Sequence, residues 1–76
     1  MIKEPMSVNA RVNAITKRIR SIRENRGFSQ QYMATKLNIS ANAYSKIELR
    51  ESKIYLDRLF QIAIILDINI ETLLNQ

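Results

Sequence analysis

The side chains with chemical capacity in this sequence are cations, amides and hydroxyls. There is no His and no Cys, and the single glycine is Gly27. Nucleophilic catalysis, zinc ligation and phosphate-cradling loops therefore lack their usual groups, and the acidic residues are scattered rather than paired for acid and base work. No enzymatic activity, metal or cofactor is expected. The 12 Lys and Arg against 7 Asp and Glu give a formal net charge of +5, and their placement says more than the total. Residues 1–28 carry seven bases against Glu4 and Glu24; residues 29–50 carry Lys36, Lys46 and Arg50 against Glu48; residues 51–76 have two bases against four acids. A polyanion would meet the first two thirds of the chain and leave the last third free. A solvated, mildly basic surface accounts for the charge equally well, so spacing has to decide.

Helices are the elements that must position these groups. One Gly and one Pro in 76 residues, with 46% hydrophobic content, leave few of the turns that hairpins and sandwiches need. Val12, Ile15, Ile19 and Ile22 recur at spacings of three and four, which predicts a first helix over Asn9–Asn25. Arg11, Lys17, Arg18, Arg20 and Arg23 fall mostly off that stripe, and Gly27 can take the left-handed conformation that closes the helix. Ser29 caps a second helix, Gln30–Leu37, with Met33, Ala34 and Leu37 inward. Asn38, the non-glycine residue best suited to positive φ, then forms a tight turn plugged by Ile39. Ser40 caps a third helix from Ala41 to about Leu49, whose inner face is Tyr44 and Ile47. Its outer face of Ala41, Asn42, Ser45 and Lys46 is small and polar rather than heavily charged, which is unusual for a purely solvating surface. After a loop at 50–53, a fourth helix is expected from about Ile54 to Leu66, with Leu56, Leu59, Phe60, Ala63 and Leu66 as its core stripe. Asp67-Ile68-Asn69 breaks it, and Asn69 caps a last short helix, Ile70–Asn75.

A chain of this length holds one core and buries only roughly 60% of its unfolded surface. Residues 1–8 read as a flexible arm and residues 9–76 as one domain, with Met1 and Met6 as alternative starts. The longest apolar run near the C-terminus, Ile62–Leu66, is far short of the roughly 20 residues that cross a bilayer, and residues 1–10 lack the apolar run of a secretory signal. No membrane partner and a cytoplasmic location are expected. The length leaves no room for a ligand-sensing domain, so control is expected through protein concentration or a regulatory protein.

Two short helices joined by about three residues cannot bury both faces alone and need helices 1 and 4 as a platform, which is the architecture of a helix-turn-helix. Ile22-Arg23 followed by Gly27-Phe28-Ser29-Gln30, the small Ala34 and the apolar Ile39 and Ile47 resemble the Cro and C1-repressor family of helix-turn-helix domains, also called the XRE family. The likeness centres on residues 30–49 and extends from Ile19 to Leu74, through Glu48, Leu59, Ile62, Ala63, Leu66, Ile68 and Leu73. Asn38 and Arg50 stand where the family usually has Gly, Tyr44 where it has Ile or Val, and Ile54 where it has Pro. The resemblance implies an all-α, compact, five-helix, lambda-repressor-like domain that binds double-stranded DNA sequence-specifically as a transcriptional regulator, with repression the expected effect.

By that resemblance the third helix lies in the major groove and Ala41, Asn42, Ser45 and Lys46 read bases, with Ser40 and Ala43 at the margin. Gln30 would contact the DNA backbone and brace the recognition helix. Ser40, Lys36, Arg50, Ser52 and Lys53, with the bases of helix 1, are further candidates for the backbone. Each of these residues could instead be an ordinary exposed polar group. Arg23 and Glu48 are expected to form a structural ion pair joining helix 1 to the end of helix 3, and Tyr44 to serve the core rather than stack on a base.

The last third holds more large aliphatics than a cap requires, and Ile64 and Ile65 cannot both point inward with Phe60 and Ala63. Ile64, Ile65, Ile68, Ile70 and Leu74 are the expected homodimer interface, with burial inside one subunit as the alternative. A two-fold dimer would set its recognition helices about 34 Å apart on a near-palindromic operator. Two other roles fit the same sequence. One is a protein-interaction module, such as an antitoxin or anti-regulator using the aliphatic C-terminal face. The other is a restriction-modification controller protein, which the chain resembles in size.

Overall fold

The computed structural model describes residues 7–75. Five helices follow in order, α1 (Val8–Asn25), α2 (Gln30–Leu37), α3 (Ala41–Glu48), α4 (Leu56–Leu66) and α5 (Ile70–Leu74), and there is no strand among the described residues. The family-like, all-helical architecture expected from the sequence is present.

Serine hydroxyls open the first three helices by accepting otherwise free first-turn amides. Ser7 Oγ accepts from the Ala10 N–H at 3.1 Å, Ser29 Oγ from Tyr32 at 2.9 Å and Ser40 Oγ from Ala43 at 3.0 Å. The first of these corrects the expected start of α1, which begins at Val8 because Ser7 caps it. Residues 1–6 of the expected arm, and both alternative starts, lie outside the described residues.

Residues with positive φ close the helices. Gly27 at φ 74° follows α1, Asn38 at 59° ends α2 and Asp67 at 58° ends α4, where the Ile68 N–H donates to the Ala63 carbonyl at 3.0 Å. Arg50 also adopts φ 63°, just past α3. That conformation explains why the family favours glycine at this place, since a Cβ there costs roughly 1–2 kcal/mol. Two arginines cap helix ends from a distance: Arg58 Nη1 donates to the Leu37 carbonyl at 3.3 Å and Arg18 Nη1 to the Leu73 carbonyl at 2.6 Å.

One core unites the helices: Ile19 of α1, Met33, Ala34 and Leu37 of α2, Tyr44 and Ile47 of α3, Leu59, Ile62, Ala63 and Leu66 of α4, and Leu73 of α5. The α2–α3 pair packs most closely, with α1 against α3 and α4 against α2. Ile15, Ile22, Phe28, Ile39 and Ile54 pack at its margin. Helix α4 departs from expectation. It begins at Leu56, not Ile54, and its inward stripe is Leu59, Ile62, Ala63 and Leu66. Leu56 and Phe60, expected inside, are 68% and 47% exposed. The helix must face α1, α2 and α5 at once, and the stripe centred on Ile62 and Ala63 does so while rotating Leu56 and Phe60 outward. At the ends of α3 and α5, Leu49 and Asn75 are caps rather than helical residues, and Asn69 precedes α5 without a side-chain capping bond. No helix among the described residues is long and apolar enough to cross a membrane.

Candidate nucleic-acid interface

Helix α3 has two unlike sides. Tyr44, fully buried, and Ile47 anchor it in the core. Opposite them Asn42 and Lys46 are exposed, flanked by half-buried Ala41 and Ser45. Helical periodicity brings these four residues to one side, and the Ser40 hydroxyl at the helix start accepts from the Ala43 amide and keeps its own hydrogen to donate. The face therefore offers a carboxamide, an ammonium, a hydroxyl and a methyl within two turns, on a helix fixed from behind.

What fixes it is a carboxylate. Glu48 accepts from Arg23 Nε at 2.7 Å, Arg23 Nη2 at 3.1 Å, the Tyr44 hydroxyl at 2.6 Å and Gln30 Nε2 at 3.2 Å. The two charged side chains are only 8% and 2% exposed. Arg23 also donates to the Phe28 carbonyl at 2.8 Å, so this one cluster ties α1, the loop before α2, the first residue of α2 and the end of α3. Burial alone would push the Glu48 carboxyl upward, but the donors from Arg23, Tyr44 and Gln30 outweigh it and hold the group below the usual glutamate range. The hydrogen bond to Glu48 raises Arg23 against the opposing effect of burial. Burial, then the bond to Glu48, pushes the Tyr44 phenol far up, so it remains a donor. No buried side-chain nitrogen or oxygen among the described residues lacks a partner.

The candidates for backbone contact are not gathered in one cluster. Gln30 stands at the start of α2, half-buried beside Glu48. Lys36 stands near the other end of α2, its ammonium 5.5 Å from the Tyr32 ring centre, and that ring lies 4.4 Å from Phe28. Lys53 is exposed in the α3–α4 loop and Ser52 is half-buried there. Arg50 is turned back toward α1, its Nη1 donating to the Asn13 side chain at 2.8 Å and the Asn9 carbonyl at 3.2 Å. Leu49, expected only as the end of the third helix, is 57% exposed. Its interval of seven from Asn42, two helical turns, was the available signal.

Of the expected interface residues, Ile64 and Leu74 are 76% and 45% exposed, whereas Ile65, Ile68 and Ile70 are half-buried against the subunit's own core. A different line of exposed apolar side chains runs along α4: Leu56, Phe60 and Ile64, at successive intervals of four. Beside it, a groove of about 450 Å³ is lined by Val8, Val12, Ile15, Tyr55 and Leu56 among others. No group of His, Cys, Asp and Glu among the described residues is arranged to hold a metal ion.

Two short helices joined by a left-handed turn, the second anchored from within and presenting a small polar face, define a helix-turn-helix domain. Comparison with known families agrees, since the model described as helix-turn-helix matches residues 19–73. The chain belongs to the Cro/C1-type helix-turn-helix family of DNA-binding regulators. No curated protein and no solved structure matches it.

Proposed function

We propose that this chain is a sequence-specific transcriptional repressor that binds a near-palindromic operator as a homodimer, with α3 in the major groove. The observation that carries the reading is the division of α3 into a buried side, Tyr44 and Ile47, and an exposed polar side, Asn42 and Lys46. An asparagine carboxamide pairs with adenine N6 and N7, a lysine reaches guanine O6 and N7, the Ala41 methyl suits a thymine methyl, and the Ser45 hydroxyl serves either kind of base. Gln30 gives one amide hydrogen to Glu48 and keeps a second for a phosphate oxygen. Lys36, Ser40, Lys53 and Arg50 contribute positive charge or hydrogen bonds along the backbone.

The second copy would meet the acid-rich last third. Leu56, Phe60 and Ile64 supply an apolar line that pairs with itself about a two-fold axis, Phe60 on Phe60 and Leu56 on Ile64. Ile68 lines one surface with Ile64 and extends the line past the end of α4, while Leu74 and the outer edges of Ile65 and Ile70 add apolar area elsewhere on the last third.

Selection of sites from random duplex DNA by the purified protein tests the reading, with the selected site then titrated against salt for the parent and an Asn42→Ala, Lys46→Ala double variant. The expected outcome is a near-palindromic site, affinity falling steeply as salt rises, and loss of preference in the variant. No enriched site, or a variant that selects the same site, would overturn it. The aliphatic face would then be read as the working surface of an antitoxin or anti-regulator.

A further inference from the structure

We infer that Leu49 reads DNA sequence, its side chain packing on the 5-methyl group of a thymine at the far end of the contact made by α3. The inference rests on the proposed reading of α3 as the recognition helix and adds a base-reading residue of a different chemistry.

Leu49 is the C-cap of α3, yet its backbone keeps helical angles, φ −83° and ψ −3°, and its N–H donates to the Ser45 carbonyl at 3.0 Å. It therefore continues the helical path. Lying seven residues after Asn42 and four after Ser45, it falls on the outward side of the helix, where it is 57% exposed. The turn behind it is closed rather than frayed. The Arg50 N–H donates to the Ile47 carbonyl at 3.2 Å, and the Glu51 and Ser52 amides to the Lys46 carbonyl at 2.9 and 3.3 Å. Arg50, at φ 63°, swings the chain away and turns its Nη1 to Asn9 and Asn13, which leaves Leu49 as the last side chain on that face.

A leucine makes no hydrogen bonds, and the thymine methyl is the apolar feature on the major-groove edges of the base pairs. From Asn42 to Leu49 the helix rises roughly 10 Å at 1.5 Å per residue. With base pairs about 3.4 Å apart, the thymine should lie within about three base pairs of the one read by Asn42.

The test uses the full chain on its selected site. Each thymine is replaced in turn by deoxyuridine, which removes the methyl and keeps every hydrogen-bonding group, for the parent, Leu49→Ala and Leu49→Gln. For the parent, one thymine per half-site should cost about three- to fivefold in affinity on losing its methyl, the scale of one buried apolar carbon. Both variants should be insensitive to that same change and keep the parent's melting temperature within a few degrees. Equal sensitivity in parent and variants at every thymine overturns the inference and leaves the proposed function standing. Failure to select any site overturns both.

Discussion

Glu48→Ala removes the one acceptor shared by three donor residues, and its cost can be worked from the geometry. The substitution leaves the Arg23 guanidinium buried with the Phe28 carbonyl at 2.8 Å and a remote Glu24 carboxylate at 3.8 Å. Breaking a buried ion pair from one side costs about 3–5 kcal/mol, because the remaining charge keeps its desolvation penalty. The Tyr44 hydroxyl, buried and donating to Glu48 at 2.6 Å, loses its acceptor as well, a further loss of about 1 kcal/mol. A domain of this length has roughly 4–11 kcal/mol in all. Expressed as heat stability, at about 4–8 °C per kcal/mol, the variant should melt at least roughly 15 °C below the parent, and as much as roughly 50 °C below it if the parent is stable enough to leave a folded variant. Thermal unfolding followed by circular dichroism measures this directly. An Arg23→Met, Glu48→Leu double variant is the control that separates charge from packing. It should melt well above Glu48→Ala, since an apolar pair of similar volume leaves no unpaired charge. A loss of less than about 5 °C in Glu48→Ala, or a double variant weaker than the single one, would refute the view that this carboxylate holds α3 in place.

The same carboxylate predicts an acid response. Its folded-state value is depressed, so the unfolded chain takes up the proton first, and stability falls as the pH drops below about 4.5, the ordinary value for glutamate, and on through the folded value. Urea unfolding from pH 7 to 3 should show this slope in the parent and a flatter one in Glu48→Gln. Arg50→Gly relieves a left-handed non-glycine residue and gives up exposed bonds to α1, and its urea midpoint should correspond to a net gain of about 0.5–1 kcal/mol. Phe60→Lys with Ile64→Lys should sediment as a monomer where the parent sediments as a dimer, while unfolding within about 1 kcal/mol of it, because both side chains are exposed.

The segment from Ser29 to Ile47 was legible because each local signal pointed to the same structure. Serine caps stand before two helices, an asparagine able to adopt φ 59° stands between them, and Met33, Ala34, Leu37, Tyr44 and Ile47 fall at helical spacing. Helix α4 was less legible. With Leu56, Phe60, Ile62, Ile64 and Ile65 all apolar, more than one face satisfies a 3.6-residue period, and the choice is made by α1, α2 and α5, which the local pattern does not contain. Arg50 carries no local sign of positive φ, because arginine has no preference for it; only the glycine usual there in the family points that way. Leu49 was not singled out, because as the last residue of the expected third helix it served only as a boundary; its phase relative to Asn42, two turns on, sets it outside.

On the proposed function, the arrangement separates holding from reading. Glu48 and Leu49 are adjacent, yet one is bonded inward to α1 and α2 and the other faces solvent. Tyr44, Ile47 and Glu48 anchor α3 from within, while Asn42 and Lys46 are exposed. Exchanging exposed polar groups away from caps and buried contacts changes stability by about 0.5 kcal/mol or less. A variant with Asn42, Lys46 and Leu49 all replaced by other helix-compatible residues should therefore melt close to the parent and select a different site. If it unfolded instead, the outer face would be part of the fold, and the division of α3 into an anchored side and a reading side would be wrong.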